Sequence, residues 1–211
     1  MTLTPAQAWE QLQRGNERFI SGGAEHPRQD VERRQDLAHA QDPLVALFGC
    51  SDSRLAAEII FDLGLGDAFV IRNAGQVVSD SVLGSIEYAV AVLHTPLLLV
   101  LGHDECGAVR AAIDSRGPDA PALPQQIAHL IEPIVPAVRR VSQTGPGQSV
   151  DPSAVDAAAV GREHLRDTVG ELLQRSEVVS YAVAEGSLAI VGANYRLHEG
   201  RVVPDTVIGL D

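Results

Sequence analysis

Short apolar runs alternate with amphipathic segments along most of the chain. Four runs are apolar enough, and short enough, to be buried strands: 44–48, 68–72, 97–101 and 187–195. Segments with a helical spacing of apolar residues lie between them, at 54–62, 80–93, about 105–115, 125–142 and about 153–175. Strands that alternate with helices over short connections are typical of a parallel sheet covered by helices. The pattern therefore predicts an α/β fold with a mainly parallel central β-sheet flanked by helices.

The N-terminal segment is more polar and predicts a helical arm. Thr4, Pro5 and Gln7 are in the order of a helix start, with a capping threonine, a proline at the first helical position and a glutamine at the third. The apolar stripe that follows is narrow and consists of Trp9, Leu12, Phe19 and Ile20. A helix with so little apolar surface is poorly held alone, so we expect it to lie across another surface. A short helix is predicted near 31–40.

The remaining segments indicate one domain. The stretches 115–124 and 144–152 are rich in Gly and Pro and predict loops, and residues 201–204 could add a short strand beside 187–195. We find no internal repeat and no sharp change of composition. We therefore predict a single domain over 1–211, with an N-terminal helical arm at 1–42 and an α/β core at 43–211.

Composition and charge narrow the range of partners. Apolar residues make up 45% of the 211 residues and charged residues 21%, which is ordinary for a globular protein. The formal net charge is −12, with 28 acids against 16 bases, all of them Arg. Such a charge disfavours nucleic acid and anionic membranes as partners. Two cysteines are too few for a disulfide scaffold, and no signal peptide or membrane span is evident, so we expect a cytoplasmic protein.

Unusual residues follow two of the predicted strands. Cys50, Asp52 and Arg54 come just after 44–48, and His103 and Cys106 just after 97–101. Parallel strands end at the same edge of a sheet, where ligands gather, so these side chains can converge. Two thiolates and one imidazole suit zinc, and three protein ligands leave its fourth tetrahedral position open, as in catalytic sites.

Two simpler interpretations of the cysteines have to be weighed. Cys50 and Cys106 could merely fill the core, or they could form a disulfide, which a reducing cytoplasm disfavours. Asp52 and Arg54 at the same strand end favour catalysis over both. A purely structural zinc site is usually closed by four Cys or His ligands, and only three are present here.

The combined motifs resemble those of the β-class carbonic anhydrases. The chain has C-x-D-x-R and H-x-x-C with IRNAG and SIEYAV between them, and W-x-x-L-x-x-G-N-x-R-F at 9–19. The resemblance extends to the strand at 187–195. It implies reversible hydration of CO₂ to bicarbonate and a proton by a zinc-bound hydroxide, with one Zn²⁺ per chain held by Cys50, His103 and Cys106.

The resemblance also assigns a catalytic dyad to Asp52 and Arg54. Asp52 would orient the zinc-bound water, and Arg54 would hold Asp52 as an anion. If Arg54 released it, Asp52 could become a fourth zinc ligand in a closed, inactive state. A subgroup with a regulatory bicarbonate site resembles this chain at Arg72 and Tyr195, but that subgroup has tryptophan where this chain has Leu47.

Further expectations concern the substrate pocket and the assembly. The resemblance places Phe69, Ala74 and Tyr88 in the walls of a CO₂ pocket and makes Gln41 a hydrogen-bond donor to the bound oxygen. Each of these residues would also be ordinary as a core or loop residue. Family members have active sites at a dimer interface and an N-terminal arm that reaches over a neighbouring subunit, so we expect a homodimer or a tetramer.

Other functions stay open at this point. The same zinc ligands would serve a hydrolase of CS₂ or COS, and a substrate test is needed to separate the two. A non-catalytic zinc or thiol-redox protein would not need the Asp52–Arg54 pair. Nucleotide binding has no G-x-G-x-x-G or P-loop to support it. His94 follows the predicted helix 80–93 and is expected to be a residue of its C-terminal end, favoured by the helix dipole. One of the other histidines could carry the product proton away, but the sequence does not choose among His26, His39, His129, His164 and His198.

Overall fold

Five strands form one sheet in the computed structural model, which describes residues 3–120 and 122–210. The strands are β1 (Val45–Cys50), β2 (Ala68–Asn73), β3 (Leu97–His103), β4 (Ala189–Arg196) and β5 (Arg201–Ile208). Their order is β2-β1-β3-β4-β5; the first four are parallel, and β5 is antiparallel to β4. The predicted α/β fold is confirmed. Residues 1, 2 and 211, which bound the predicted domain, and residue 121 in the predicted loop lie outside the described ranges.

Nine α-helices surround the sheet within the described ranges. They are α1 (Pro5–Ser21), α2 (Val31–Asp36), α3 (Ala57–Ile60), α4 (Asp80–Ala91), α5 (Gly107–Asp114), α6 (Gln125–Ile131), α7 (Val135–Ser142), α8 (Ala157–Arg175) and α9 (Glu177–Ala184). A 3₁₀ turn, Glu132–Ile134, joins α6 to α7. None of the helices in these ranges has the length and apolar character that crossing a membrane requires.

The central strands are buried on both faces. Along β1, Val45 and Leu47 join one hydrophobic cluster, which includes residues of α1, α5 and α7, while Ala46 and Phe48 join another, which includes residues of α4, α8 and α9. This alternation is the period of two that a strand imposes. Because both faces are covered, β1 and β3 read as continuous apolar runs rather than alternating ones.

The predicted helix start at Thr4 is confirmed, and α1 lies on the core of its own chain. The Thr4 hydroxyl accepts from the Gln7 N–H at 3.2 Å, and the Thr4 N–H donates to Gln7 Oε1 at 3.0 Å. Asn16, which is buried, donates from its side-chain amide to the carbonyls of Ile60 and Gly200. These long-range bonds compensate for the narrow apolar stripe of the helix.

Several element predictions were wrong in extent, and the helix predicted near 31–40 already ends at Asp36. The helix predicted at 54–62 is reduced to α3, because residues 51–56 form a turn around Asp52. The helix predicted at 125–142 is interrupted by the 3₁₀ turn at Pro133, since proline has no N–H to donate. The strand expected at 201–204 extends to Ile208.

One helix was not predicted at all. Segment 177–184 forms α9, and the Ser176 hydroxyl caps it by accepting from the Val179 N–H at 3.2 Å. Its apolar residues do not form a clear helical stripe in the sequence, and packing against α4 and α8 decides its conformation.

Candidate active site

The three predicted metal ligands meet at the carboxyl edge of the sheet. Cys50 is the last residue of β1, His103 is the last residue of the neighbouring β3, and Cys106 directly precedes α5. All three are buried, and their ligand atoms lie within 4.8 Å of one another. Residues separated by 53 positions in the chain converge because β1 and β3 are parallel neighbours in register, with Gly49 opposite Leu101.

The geometry of these donors fits a tetrahedral zinc ion. The sulfur atoms of Cys50 and Cys106 are 4.0 Å apart, close to the roughly 3.8 Å expected for two thiolates each about 2.3 Å from one tetrahedral zinc. His103 Nδ1 is 2.7 Å from the carbonyl oxygen of Asp104, which places the ring proton on Nδ1. His103 Nε2 is buried and has no hydrogen-bond partner in the described part of the chain, so its lone pair is available to a metal.

The two thiols differ in acidity. The contact with Cys106 is the largest of the causes that lower the pKa of the Cys50 thiol; the contact with His103 and then the N–H of Gly75 follow it, while burial opposes the shift. The same sulfur contact and burial raise the pKa of Cys106. The pair therefore favours one thiolate over two when no metal is bound.

Asp52 and Arg54 form a bidentate ion pair beside these ligands. Arg54 Nε is 2.9 Å from Asp52 Oδ1, and Arg54 Nη2 is 2.8 Å from Oδ2. Arg54 holds the pKa of Asp52 well below its usual range, chiefly through these hydrogen bonds. Asp52 Oδ2 also lies 4.0 Å from His103 Nε2, so the carboxylate borders the place where a metal would sit.

Arg72 holds the turn that carries these residues. Its Nε donates to the Cys50 carbonyl at 2.9 Å, and its Nη2 donates to the Asp52 carbonyl at 2.7 Å. Arg54 donates in addition to the carbonyl of Glu105 at 3.2 Å, which links the turn to the segment between His103 and Cys106. Sequence reasoning did not assign this structural role to Arg72; its place in the IRNAG motif, at the end of the strand beside Cys50, was the available signal.

The predicted pocket residues do not all lie beside the ligands within one chain. Ala74 is exposed and precedes Gly75, whose N–H is 3.3 Å from the Cys50 sulfur. Phe69 pairs in register with Ala46, four residues before Cys50 and therefore about 13 Å away along the strands. The ring of Phe69 instead packs against that of Tyr88, with 6.1 Å between the ring centroids.

The other two pocket residues border a depression of their own. Gln41 and Tyr88 line it together with residues 37–40, Gly66 and Leu93, and no metal ligand contributes to it. Gln41 is exposed, and Tyr88 keeps 47% of its surface exposed. The pocket roles of Gln41, Phe69 and Tyr88 therefore stay predictions that one chain alone does not fulfil.

Fold and donors together define an α/β protein with a Cys-His-Cys metal site at the carboxyl edge of a parallel sheet. The sequence signature of the carbonic anhydrase family matches residues 45–202, which include every residue of this site. The chain therefore belongs to the carbonic anhydrase family, and its fold is that of the β class.

Individual relatives agree with this assignment. The chain is 47% identical to carbonic anhydrase 2 of Mycobacterium tuberculosis over 205 residues, covering 97% of this chain and 95% of the relative. It is 45% identical to a carbonic anhydrase of Mycolicibacterium smegmatis over 199 residues, covering 94% and 92%. Among solved structures, a Coccomyxa β-carbonic anhydrase in complex with acetazolamide is similar with a TM-score of 0.71 and 25% identity, over 93% of this chain and 86% of that chain.

Proposed function

We propose that the protein catalyses the reversible hydration of CO₂ to bicarbonate and a proton at a zinc centre held by Cys50, His103 and Cys106. The observation that carries the proposal is the convergence of two sulfur atoms and a buried, unpaired imidazole nitrogen within 4.8 Å, with an ionised carboxylate beside them. Family membership supplies the reaction, and this geometry supplies the means.

Zinc, when bound, supplies a Lewis acid that brings the pKa of a water ligand to about 7 in carbonic anhydrases with three histidine ligands. Two thiolates neutralise more of the metal charge than histidines do, so neighbouring groups have more to contribute here. Asp52 stays ionised and accepts a hydrogen bond from the attacking water. That bond directs the oxygen lone pair towards the carbon of CO₂.

Arg54 keeps Asp52 in this role. The pair occupies both carboxylate oxygens, and Arg54 is itself fixed to the Glu105 carbonyl. We infer that loss of the pair would let Asp52 move onto the metal and close the site, since Oδ2 is already 4.0 Å from His103 Nε2.

We also infer that the active protein is a homodimer or a tetramer. Tyr88 on α4 is 47% exposed, Val92 just after α4 is 55% exposed, and Phe69 lies on the edge strand β2. A second copy that covers this surface would bring Gln41, Phe69 and Tyr88 towards a metal centre that they do not reach in their own chain. Within this assembly, we propose that each chain is a single domain over residues 1–211, with its N-terminal arm at 1–42.

We place the reaction in the cytoplasm. Cys50 and Cys106 are free thiols with sulfur atoms 4.0 Å apart. In an oxidising compartment, these two thiols could form a disulfide. A reducing environment preserves both as metal ligands.

The decisive experiment is stopped-flow CO₂ hydration between about pH 6.5 and 9, around the neutral pKa expected for the metal-bound water, with zinc counted on the same sample. We expect one zinc per chain and activity that rises with pH. Zinc without CO₂ hydration, but with hydrolysis of CS₂ or COS, would contradict the proposal, and so would a protein without zinc whose cysteines cycle between thiol and disulfide.

A ligand variant sharpens this test. His103→Ala should lose zinc and activity together, whereas His129→Gln, at an exposed position on α6, should keep both. A His103→Ala protein that retains one zinc per chain would remove His103 from the ligand set.

Assembly is tested by light scattering. The wild type should be a dimer or larger, and Tyr88→Glu should shift it towards monomer with loss of activity. Tyr181→Glu, at a tyrosine that is 68% exposed on α9, is the matched control and should change neither. An active monomer would contradict the inference.

A further inference from the structure

The loop between β2 and α4 donates a hydrogen bond to one of the metal ligands. The backbone N–H of Gly75 lies 3.3 Å from the Cys50 sulfur. A hydrogen bond to a thiolate favours its charged form and withdraws electron density from the sulfur. The position of this one N–H therefore affects both the affinity of Cys50 for a metal and the charge that Cys50 donates.

Gly75 cannot hold this position by itself. Its φ is +79°, in the left-handed region, and a Cβ there would lie 2.8 Å from the Cβ of Ala108. Glycine is thus required, yet glycine has more backbone freedom than any other residue. The N–H stays directed at the sulfur only if the flanking backbone is anchored.

One anchor lies within the loop. Asn73 accepts from the Val77 N–H at 2.8 Å and donates to the Val77 carbonyl at 2.7 Å, which closes the loop at its ends. This amide fixes the two ends of the loop, and both of its hydrogen bonds go to Val77 rather than to Gly75.

The second anchor is His164, which lies 89 positions away on α8. Its Nε2 is 2.8 Å from the Gly75 carbonyl oxygen. The ring is 3% exposed, and Nδ1 has no hydrogen-bond partner in the described residues. The proton therefore resides on Nε2, which donates to Gly75, and burial lowers the pKa of His164, which favours this neutral form.

We infer that His164 is a positioning residue for the metal centre: by holding the Gly75 carbonyl, it keeps the Gly75 N–H on the Cys50 thiolate. The inference rests on the metal site of the proposed function and adds a residue of α8 to it. The carbonyl and the N–H of Gly75 flank one α-carbon, so fixing one restricts the orientation of the other.

The test compares three variants as folded, metal-loaded proteins. His164→Leu removes the donor, and His164→Gln retains an N–H donor at a similar reach. Val169→Ala removes buried volume from the same helix but no hydrogen bond to the loop. Zinc affinity is measured by chelator competition. The sulfur-to-metal charge-transfer band is measured on the cobalt-substituted proteins.

We expect zinc affinity to fall about 10- to 100-fold in His164→Leu, the usual effect of losing an outer partner of a ligand. The cobalt band should move to longer wavelength, because a thiolate without its hydrogen bond gives up electron density more readily. His164→Gln and Val169→Ala should stay close to wild type in both measurements. An unchanged His164→Leu, or an equal loss in Val169→Ala, would overturn the inference.

A measurement on the wild type covers the case in which His164→Leu does not fold. With ¹¹³Cd in the site, the Gly75 amide proton should show scalar coupling to cadmium through the Cys50 sulfur, and the His164 ring should show its proton on Nε2. Absence of either signal would refute the arrangement. None of these readouts requires turnover, so a protein that binds metal in this way but fails to hydrate CO₂ would refute the proposed function and leave the role of His164 standing.

Discussion

Arg54 binds both carboxylate oxygens of Asp52, through Nε at 2.9 Å and Nη2 at 2.8 Å, and its own backbone N–H donates to the same carboxylate at 3.0 Å. All three bonds form within one turn of chain that begins at Cys50, one of the three proposed metal ligands. The arginine thereby fixes both the ionisation and the direction of the acid that borders the metal site.

Asp52→Asn should retain zinc and lose most of its turnover. The amide can fill the same space, but it carries no negative charge and presents an N–H₂ group where the carboxylate accepts. We expect activity to fall by about 10²-fold or more, the usual contribution of a positioned acid or base, as measured by stopped-flow CO₂ hydration at equal zinc content.

The matched control is Glu105→Gln, since Glu105 is an exposed acid in the same ligand segment. It should keep nearly full activity. An Asp52→Asn enzyme with wild-type turnover would end the dyad hypothesis.

Arg54→Leu should make the enzyme more sensitive to acid. Without the guanidinium, the pKa of Asp52 returns upward towards its usual value near 3.9, so Asp52 stays ionised at neutral pH but is no longer held in place. The freed carboxylate competes best for the metal at low pH, where hydroxide is scarce. The acid limb of the pH–activity profile should therefore move to higher pH, with roughly 10- to 100-fold lower activity at pH 7.

For comparison, Arg14→Leu removes an exposed arginine that pairs with Glu10 on α1. Its pH profile should superimpose on that of the wild type. A uniform loss of activity in Arg54→Leu at every pH would argue against release of Asp52.

Asp62→Asn should destabilise the fold at neutral pH and less so in acid. The buried Asp62 carboxylate accepts from Arg18 Nε at 2.6 Å and from the N–H groups of Glu25 and His26. Burial raises the pKa of Asp62, but these hydrogen bonds outweigh burial and lower it. Because the Arg18 side chain is 32% exposed, we expect the loss of this partly buried pair to cost about 1.5 to 3 kcal/mol of unfolding free energy, the usual value of a hydrogen bond to a charged group.

The sign of the pH dependence follows from the lowered pKa. Stabilisation by Asp62 is complete above its unfolded pKa near 3.9 and is lost as the pH falls through the lower folded value. Urea unfolding at pH 7 and at about pH 3.5 should show a smaller difference between variant and wild type in acid. The control is Glu10→Gln, in an exposed ion pair, which should change the free energy of unfolding by less than about 1 kcal/mol. If Glu10→Gln lost as much stability as Asp62→Asn, the pair of Asp62 with Arg18 would have no special role in stability.

Gly15→Ala should displace α1 from the core. A Cβ at Gly15 would lie 1.8 Å from the backbone oxygen of Phe61, which cannot move aside as a flexible side chain could. Alanine favours a helix over glycine by about 1 kcal/mol, but the forced shift of α1 should outweigh this, with a net loss of about 1 to 3 kcal/mol in urea unfolding. The control is Gly170→Ala on α8, where the added Cβ would meet nothing within 4 Å, so this variant should stabilise the protein. If both variants were more stable than the wild type, the close approach of α1 to the Phe61 backbone would be refuted.

The sequence predicted features that depend on near neighbours in the chain. Each of these features depends on residues that are only a few positions apart. They are the cap at Thr4, the apolar runs of β1 to β4 and the succession Cys50, Asp52, Arg54. The convergence of His103 with Cys50 followed from one general rule, that parallel strands end at the same edge. The resemblance in the motifs then supplied the reaction, and the family assignment confirmed it.

His164 shows where sequence reasoning stopped. It was one of five histidines with no assigned role, although its spacing of four from Val160 and from Thr168 places it on the buried face of α8. A histidine within an apolar stripe indicates a buried side chain that forms a hydrogen bond, but the helical pattern does not show which residue is its partner. The partner, Gly75, is 89 positions away.

The sequence by itself determined the order of the parallel strands, the donor residues Cys50, His103 and Cys106 and the Asp52–Arg54 pair that follows Cys50, because these depend on residue type and on separations of a few positions. Only the tertiary structure decided that α9 is a helix, that Arg72 holds the Cys50–Asp52 turn and that Gly75 donates to the Cys50 sulfur. These features depend on packing and hydrogen bonds between distant segments, and such contacts exist only once the sheet and its covering helices have brought those segments together.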